Sequence, residues 1–351
     1  MKMDRREFLI GAGAAAVCGR GGAAATPTEI RGVLLHLGCN MWGDYLAPGE
    51  TANPTMWRYT EDHVRFSEDI WAKTVDHAKR CGLNLVIMDL GEFMKFPSHP
   101  ELAVEGSWEP ERMNAEVRRL REMGLEPIPK LNFSAAHDSW LKDYHRMLST
   151  RQYYKVCADL IRDVRDVFET PRFLHIGYDE ERYDNQKRCD FAVVRQGELW
   201  WHDFLWFVKG IERLGRRAWM FRDYGWHHPE FVKRCPRSVL QMNWYYDEDV
   251  QGFDLSKVED RYVSKLRLFN DLDKAGFEQT PMGSNWMSPK QKAAGRVNND
   301  DCMEKLVKYC RDNISPELLK GFVVASWTDT AGAGAMKTNL EGITQLAEAV
   351  K

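Results

Sequence analysis

The run LWWHDFLWFVKGIERLGRRAWMFR, residues 199–222, holds one full step of the architecture. Residues 199–214 read as an amphipathic helix, Leu214 and Gly215 end it with the glycine placed to reverse the chain, and 218–222 follow as a short apolar β-type run. Directly after that run come Asp223, Tyr224 and Trp226. The helix–glycine–strand order recurs in both directions, at Cys81 and Gly82, Met123 and Gly124, and Ala275 and Gly276. Strand candidates fall at 33–38, 84–90, 126–132, 173–177, 218–222, 239–244, 279–284 and 321–326, with helices such as 67–80, 109–123, 153–168 and 300–311 between them. Strands alternating with helices predict a parallel sheet with helices outside it. With a last helix at 340–350, the count closes as a (β/α)8 TIM barrel over residues 26–351, a single domain. A doubly wound open sheet would need a glycine-rich phosphate turn after its first strand, and Gly38, Cys39, Asn40 and Met41 do not supply one.

Composition narrows the partners. The chain has 351 residues, 44% of them apolar and 29% charged, enough to bury a large core. A net charge of -3 with short, mixed basic clusters lacks the footprint of phosphate-backbone binding, so nucleic acid is not expected. Thirteen Trp is a heavy load; most belong in a core, but flat rings also stack on the apolar faces of pyranose sugars. Beyond residue 25 the cysteines are Cys39, Cys81, Cys157, Cys189, Cys235, Cys302 and Cys310, an odd set with scattered spacing that argues against a disulfide framework. No CxxC pair or His cluster has zinc spacing, so no metal is expected.

Residues 1–25 read as a targeting segment. Asp4, Arg5, Arg6, Glu7, Phe8 and Leu9 resemble a twin-arginine export signal, followed by an Ala/Gly-rich stretch to about Val17 that is too short for a membrane span. Ala23, Ala24 and Ala25 offer a small-residue cleavage site, and Val17 before Cys18 is bulkier than lipoprotein processing tolerates. A periplasmic or extracellular domain, exported already folded and without stable membrane insertion, is the expectation.

A barrel enzyme places its chemistry after the strands. Those positions hold Asn40 and Trp42; Asp89 and Glu92; Asn132 and His137; Asp179, Glu180 and Glu181; then Asp223, Tyr224 and Trp226. The later strand ends add Asn243, Trp244, Tyr245, Tyr246 and Asp247; Asn285 and Trp286; and Trp327, Thr328 and Asp329. Sugar hydroxyls want bidentate acceptors and sugar C–H faces want rings, so an aromatic with a carboxylate or amide at nearly every strand end suits a glycan or oligosaccharide. The sharpest motif is His175, Ile176, Gly177, Tyr178, Asp179 and Glu180, a strand running straight into adjacent acids. Glycoside cleavage needs a proton donor and a group that stabilises the oxocarbenium-like centre, a task for two carboxylates in different environments. Two acids at the start of a helix would also be favoured by its dipole alone.

This stretch resembles the H-x-G-x-D-E signature of family 20 glycoside hydrolases, the β-N-acetylhexosaminidases. Arg31 and Gly32, Pro129 through His137, and Trp327 extend the resemblance in short pieces. It implies Glu180 as general acid and Asp179 as the residue that orients the substrate's own 2-acetamido group, the nucleophile, with no metal or organic cofactor. It also suggests Tyr245 or Tyr246 for the acetamide oxygen. Tyr178 stands where the family has a second motif glycine, Cys39 and Asn40 occupy the region of its first-strand arginine, and its second-strand histidine is replaced near Asp89.

Other assignments use the same face. In a two-carboxylate glycosidase on a sugar without an acetamide, Asp223, Asp329 or Asp89 would be nucleophile or base beside Glu180. Glu181 reads as a solvent-facing helix residue, with a role as the acid left open, and His137 as a partner that tunes the acid or as an ordinary loop histidine. The rival of another class is a non-catalytic carbohydrate-binding barrel. A lyase or isomerase would want a lysine base, for which Lys130 is the residue to watch, or a divalent ion among Asp89, Glu92 and Asp179.

Overall fold

The computed structural model describes residues 29–45, 59–246, 261–287, 299 and 301–351. The twin-arginine segment and Asp247 lie outside the described residues. Strands β1 (Ile30–His36), β2 (Leu85–Asp89), β3 (Glu126–Lys130), β4 (Phe173–His175), β5 (Arg217–Phe221), β6 (Leu240–Met242), β7 (Met282–Gly283) and β8 (Gly321–Ala325) form one parallel sheet, in the order β6-β5-β4-β3-β2-β1-β8-β7. Parallel bridges from Gln241 to Gln279 and from Trp244 to Met282 join the two ends, so the sheet closes as a (β/α)8 barrel. Around it run α1 (Glu68–Arg80), α2 (Pro110–Glu122), α3 (Arg151–Val167), α4 (Gly197–Arg213), α5 (Phe231–Arg234), α6 (Arg261–Lys274), α7 (Cys302–Asn313) and α8 (Ala333–Ala349).

The α4–β5 unit explains the layering. Trp200, Phe204, Phe207 and Ile211 recur at three- and four-residue spacing, lie on one face of α4 and are buried. Gly215, at φ +69°, takes the left-handed turn after the helix. In β5 the side chains then alternate. Trp219 and Phe221 join Ile30, Leu34, Ile87 and Val323 inside the barrel. Ala218 and Met220 pack outward with the helices. Both faces of the strand are dry, which is why its sequence is an unbroken apolar run. Helix α8 starts well before 340: residues 333–336 form its first turn and bury Ala335 instead of forming a loop.

No described helix is long and apolar enough to cross a membrane. The seven described cysteines are unbridged.

Candidate active site

The turn after β4 is built to display an acid. Gly177, Tyr178 and Glu180 all have left-handed φ, at +64°, +72° and +56°. Such backbone costs about 1–3 kcal/mol per non-glycine residue and persists only where the surroundings fix it. Asn132, just past β3, does much of the fixing: its Oδ1 accepts from the backbone N–H of Tyr178 at 3.2 Å and of Ser134 at 3.1 Å. A Cβ at Gly177 would stand 2.1 Å from that same oxygen, so only glycine fits.

Asn132 Nδ2 donates to Asp179 Oδ1 at 3.1 Å, and His137 Nδ1 lies 3.3 Å from that oxygen. His137 Nε2 lies 3.5 Å from Glu180 Oε2. The imidazole therefore bridges the two acids, and one donor atom from each of the three residues falls within 4.8 Å of the others. Burial opposes the charge on Asp179, but the His137 charge and hydrogen bond, with Lys130 and Asn132 behind them, win and hold its carboxyl well below the usual carboxylate range. Burial likewise opposes the imidazolium of His137, yet Asp179 and Glu180 push it up to about 10. With both ring nitrogens aimed at carboxylates, the cluster is arranged to hold a proton; a cation bound by the same three atoms would have to displace it.

Asp223, after β5, accepts from the backbone N–H of Glu180 at 2.8 Å through Oδ2. Burial, then the charges of Asp179 and Glu180, raise its carboxyl to about 7. Three carboxyls thus meet in two states of exposure: Asp179 and Asp223 are buried, and the Glu180 side chain is 32% exposed at the rim.

Aromatic rings continue the mouth around the other strand ends. Trp42 meets His137 edge-on at 6.0 Å and His36 at 5.3 Å; His36 in turn lies 5.6 Å from Trp327. Trp327 adjoins Tyr246, which stacks on Trp244 at 5.2 Å and meets Trp286 at 6.1 Å. Trp42, Trp244, Tyr246, Trp286 and Trp327 are thereby brought into one wall.

Four further candidates are held by other contacts. Asp89, the last residue of β2, is wholly buried, its Oδ2 2.5 Å from Lys130 Nζ and 2.9 Å from His36 Nδ1. The Asn40 amide spans the backbone of Glu61, donating at 2.8 Å and accepting at 2.9 Å, and so ties down a loop. Asp329 accepts from the backbone N–H of Ala331 at 3.0 Å. Tyr245 packs into the outer core, with its carbonyl accepting from the Cys302 thiol.

Glu92 holds the backbone N–H groups of Cys39, at 2.7 Å, and Asn40, and burial raises its carboxyl to about 7. Glu181 departs from the sequence reading of a solvent-facing helix residue: its side chain is 4% exposed and locked to Arg195. Residues missed from sequence include His36 and Lys265, whose Nζ lies 4.6 Å from the Trp226 ring centre and 4.4 Å from that of Trp244. His36 had a signal, a histidine on the inward alternation of an apolar strand; Lys265, inside a helix, had none.

No protein-family model and no curated protein matches this sequence. Solved structures do. Dispersin B is 18% identical with a TM-score of 0.53, over 81% of this chain and 94% of that one. A family 20 exo-β-N-acetylglucosaminidase from Vibrio harveyi is 13% identical with a TM-score of 0.59, over 92% of this chain and 54% of that one. A β-N-acetylhexosaminidase from Bacteroides fragilis is 11% identical with a TM-score of 0.61, over 91% of this chain and 65% of that one. The chain spans less than two thirds of the length of the last two. At these identities the likeness is one of fold: the protein has the barrel architecture of family 20 glycoside hydrolases.

Proposed function

We propose that this protein is an exported glycoside hydrolase that removes a terminal β-N-acetylhexosamine from glycans with retention of configuration. The observation that carries this reading is the His137–Asp179–Glu180 cluster, one carboxylate held ionised beside another at the rim of an aromatic mouth. In this reading Glu180 protonates the glycosidic oxygen as the C–O bond breaks. Asp179 orients the acetamide N–H and offsets the positive charge that develops as the acetamide oxygen closes on the anomeric carbon. Water then opens that ring, and Glu180 takes the proton back. Both side-chain hydrogen bonds to Asp179 fall on Oδ1, leaving Oδ2 for the acetamide. Trp42, Trp244, Tyr246 and Trp327 supply rings for the sugar face. Solved proteins of the same fold named as β-N-acetylhexosaminidases add support.

A two-carboxylate mechanism on a sugar without an acetamide is less well served. Asp89 is paired with Lys130, and burial and acidic neighbours raise the carboxyl of Asp223, the acid beside Glu180, to about 7, which weakens it as an ionised nucleophile and leaves it the role of a general base for water. Lys130 is paired with Asp89, which does not suit a lysine base.

Hydrolysis of aryl β-GlcNAc, β-GalNAc, β-galactoside and β-glucoside by the wild type, Asp179→Asn and Glu180→Gln tests the reading. The expected result is release from the acetamido sugars alone, with losses on the order of 10²–10⁴-fold in each variant. Turnover confined to sugars without the acetamide would overturn the substrate-assisted mechanism. Silence with tight glycan binding would leave a carbohydrate-binding barrel.

A further inference from the structure

Behind the acids, on the helix side of the β4 turn, lies a buried ionic network that the proposed chemistry does not use. Arg195 has a fully buried side chain, and its guanidinium carbon stands 4.5 Å from the Tyr178 ring centre. Its Nε donates to Glu181 Oε1 at 2.9 Å and Oε2 at 3.0 Å, and Nη2 also reaches Oε1. Nη2 donates to the Phe133 carbonyl at 2.8 Å, and Nη1 to Asp203 Oδ2 at 3.3 Å. Glu181 Oε1 accepts from the backbone N–H of Ala135 at 2.9 Å. Asp203, on α4, further accepts from Ser149 Oγ at 2.6 Å and from the Tyr154 hydroxyl of α3.

Two of these attachments matter for the site. Phe133 and Ala135 belong to the loop after β3 that carries His137, while Tyr178 and Glu181 flank Asp179 and Glu180 after β4. The network spans both loops and anchors them to two helices. Taking such charges out of water costs several kcal/mol per ion, which makes a buried network weak evidence for stability. The β4 turn, in contrast, holds two non-glycine residues, Tyr178 and Glu180, in left-handed backbone and needs an external frame. Glu181 follows the left-handed Glu180 directly, so wherever Glu181 is fixed, the direction of Glu180 is fixed with it.

We propose that Arg195 and Glu181 are positioning residues: the buried pair sets the spacing between the loop bearing His137 and the turn bearing Asp179 and Glu180, and so aims Glu180 at the glycosidic oxygen. The inference rests on the glycosidase reading.

The test compares Arg195→Lys, Glu181→Gln, Glu180→Gln and the double variant Glu180→Gln/Arg195→Lys on an aryl β-N-acetylglucosaminide, with thermal unfolding as a control. A misplacement of about 1 Å costs on the order of 10²-fold. Arg195→Lys should therefore lower kcat by roughly 10–100-fold with KM within about threefold, since the pair does not touch the sugar. With the acid gone, the brace has nothing to aim, so the double variant should be no slower than Glu180→Gln alone. An additive loss, or an unchanged kcat in folded Arg195→Lys and Glu181→Gln, overturns the inference. Glu181→Gln, nearly isosteric, keeps the test open if Arg195→Lys does not fold. Amide exchange is the readout independent of turnover: the N–H groups of Ala135 and Glu180 should exchange faster in the variants while those of β1 and β8 stay protected. Unchanged exchange at both also overturns it. A wild type silent on every sugar removes the glycosidase reading, and exchange then decides the brace by itself.

Discussion

Asp223 is the side chain on which the two glycosidase mechanisms part. Its carboxyl is raised to about 7 from an ordinary value of 3.8, first by burial and then by its acidic neighbours. A raised acid pKa means the folded chain keeps a proton that the unfolded chain has lost, so this group costs stability as pH climbs from 3.8 towards 7, and the cost persists above that. Asp223→Asn mimics the protonated acid. It should be more stable than the wild type at pH 8 by up to a few kcal/mol, with the gap closing near pH 4, as read from unfolding midpoints across pH. It should also keep kcat on an acetamido substrate within about tenfold, because Oδ of an amide still accepts the Glu180 N–H. A collapse of kcat by several orders of magnitude would instead mark Asp223 as the second catalytic carboxylate, nucleophile or base. His137 has the opposite sense of usefulness: its raised pKa adds stability that is whole below 6.5 and fades as pH rises through about 10.

At the scale of the element, the β4 turn sets the demands on its own sequence. Gly177 needs both a left-handed φ and the absence of a side chain, because Asn132 fills the space where a Cβ would go. Gly82, at φ +79°, has nothing within 4 Å of its missing Cβ. Gly82→Ala should cost about 1 kcal/mol and Gly177→Ala about 3 kcal/mol or more, measured by denaturant unfolding. Equal costs would mean that Asn132 yields, and that the turn is less tightly framed than its contacts imply. Elements ended by glycine were legible in the sequence because a cap is local. Tyr178 was not: it reads as a departure from a glycine, and only the packed structure reveals that its ring lies under Arg195. The same holds for Glu181, whose charge suggested solvent until a partner fourteen positions away in the chain, Arg195, enclosed it.

At the scale of the molecule, the prediction concerns location, since the twin-arginine reading of Arg5 and Arg6 is a statement about the whole chain's route. The variant Arg5→Lys/Arg6→Lys should leave the protein folded in the cytoplasmic fraction, followed by cell fractionation against a periplasmic marker. Undiminished export would remove the reading. What the sequence by itself determined is the barrel, because apolar periodicity and glycine stops are properties of neighbouring residues, and eight repeats of them allow a closed parallel sheet. It also marked the strand-end acids and rings, since a strand's end is a position in the chain. Only the tertiary structure decided which of them meet. Asp89 and Asp223 both follow apolar runs, yet one turns inward against Lys130 and the other stands beside Glu180. Tyr245 and Tyr246 are neighbours, yet the outer core takes one and the aromatic mouth the other. Strand alternation sends adjacent side chains to opposite faces, and the register of the closed sheet, set by contacts far apart in the chain, selects which face becomes the site.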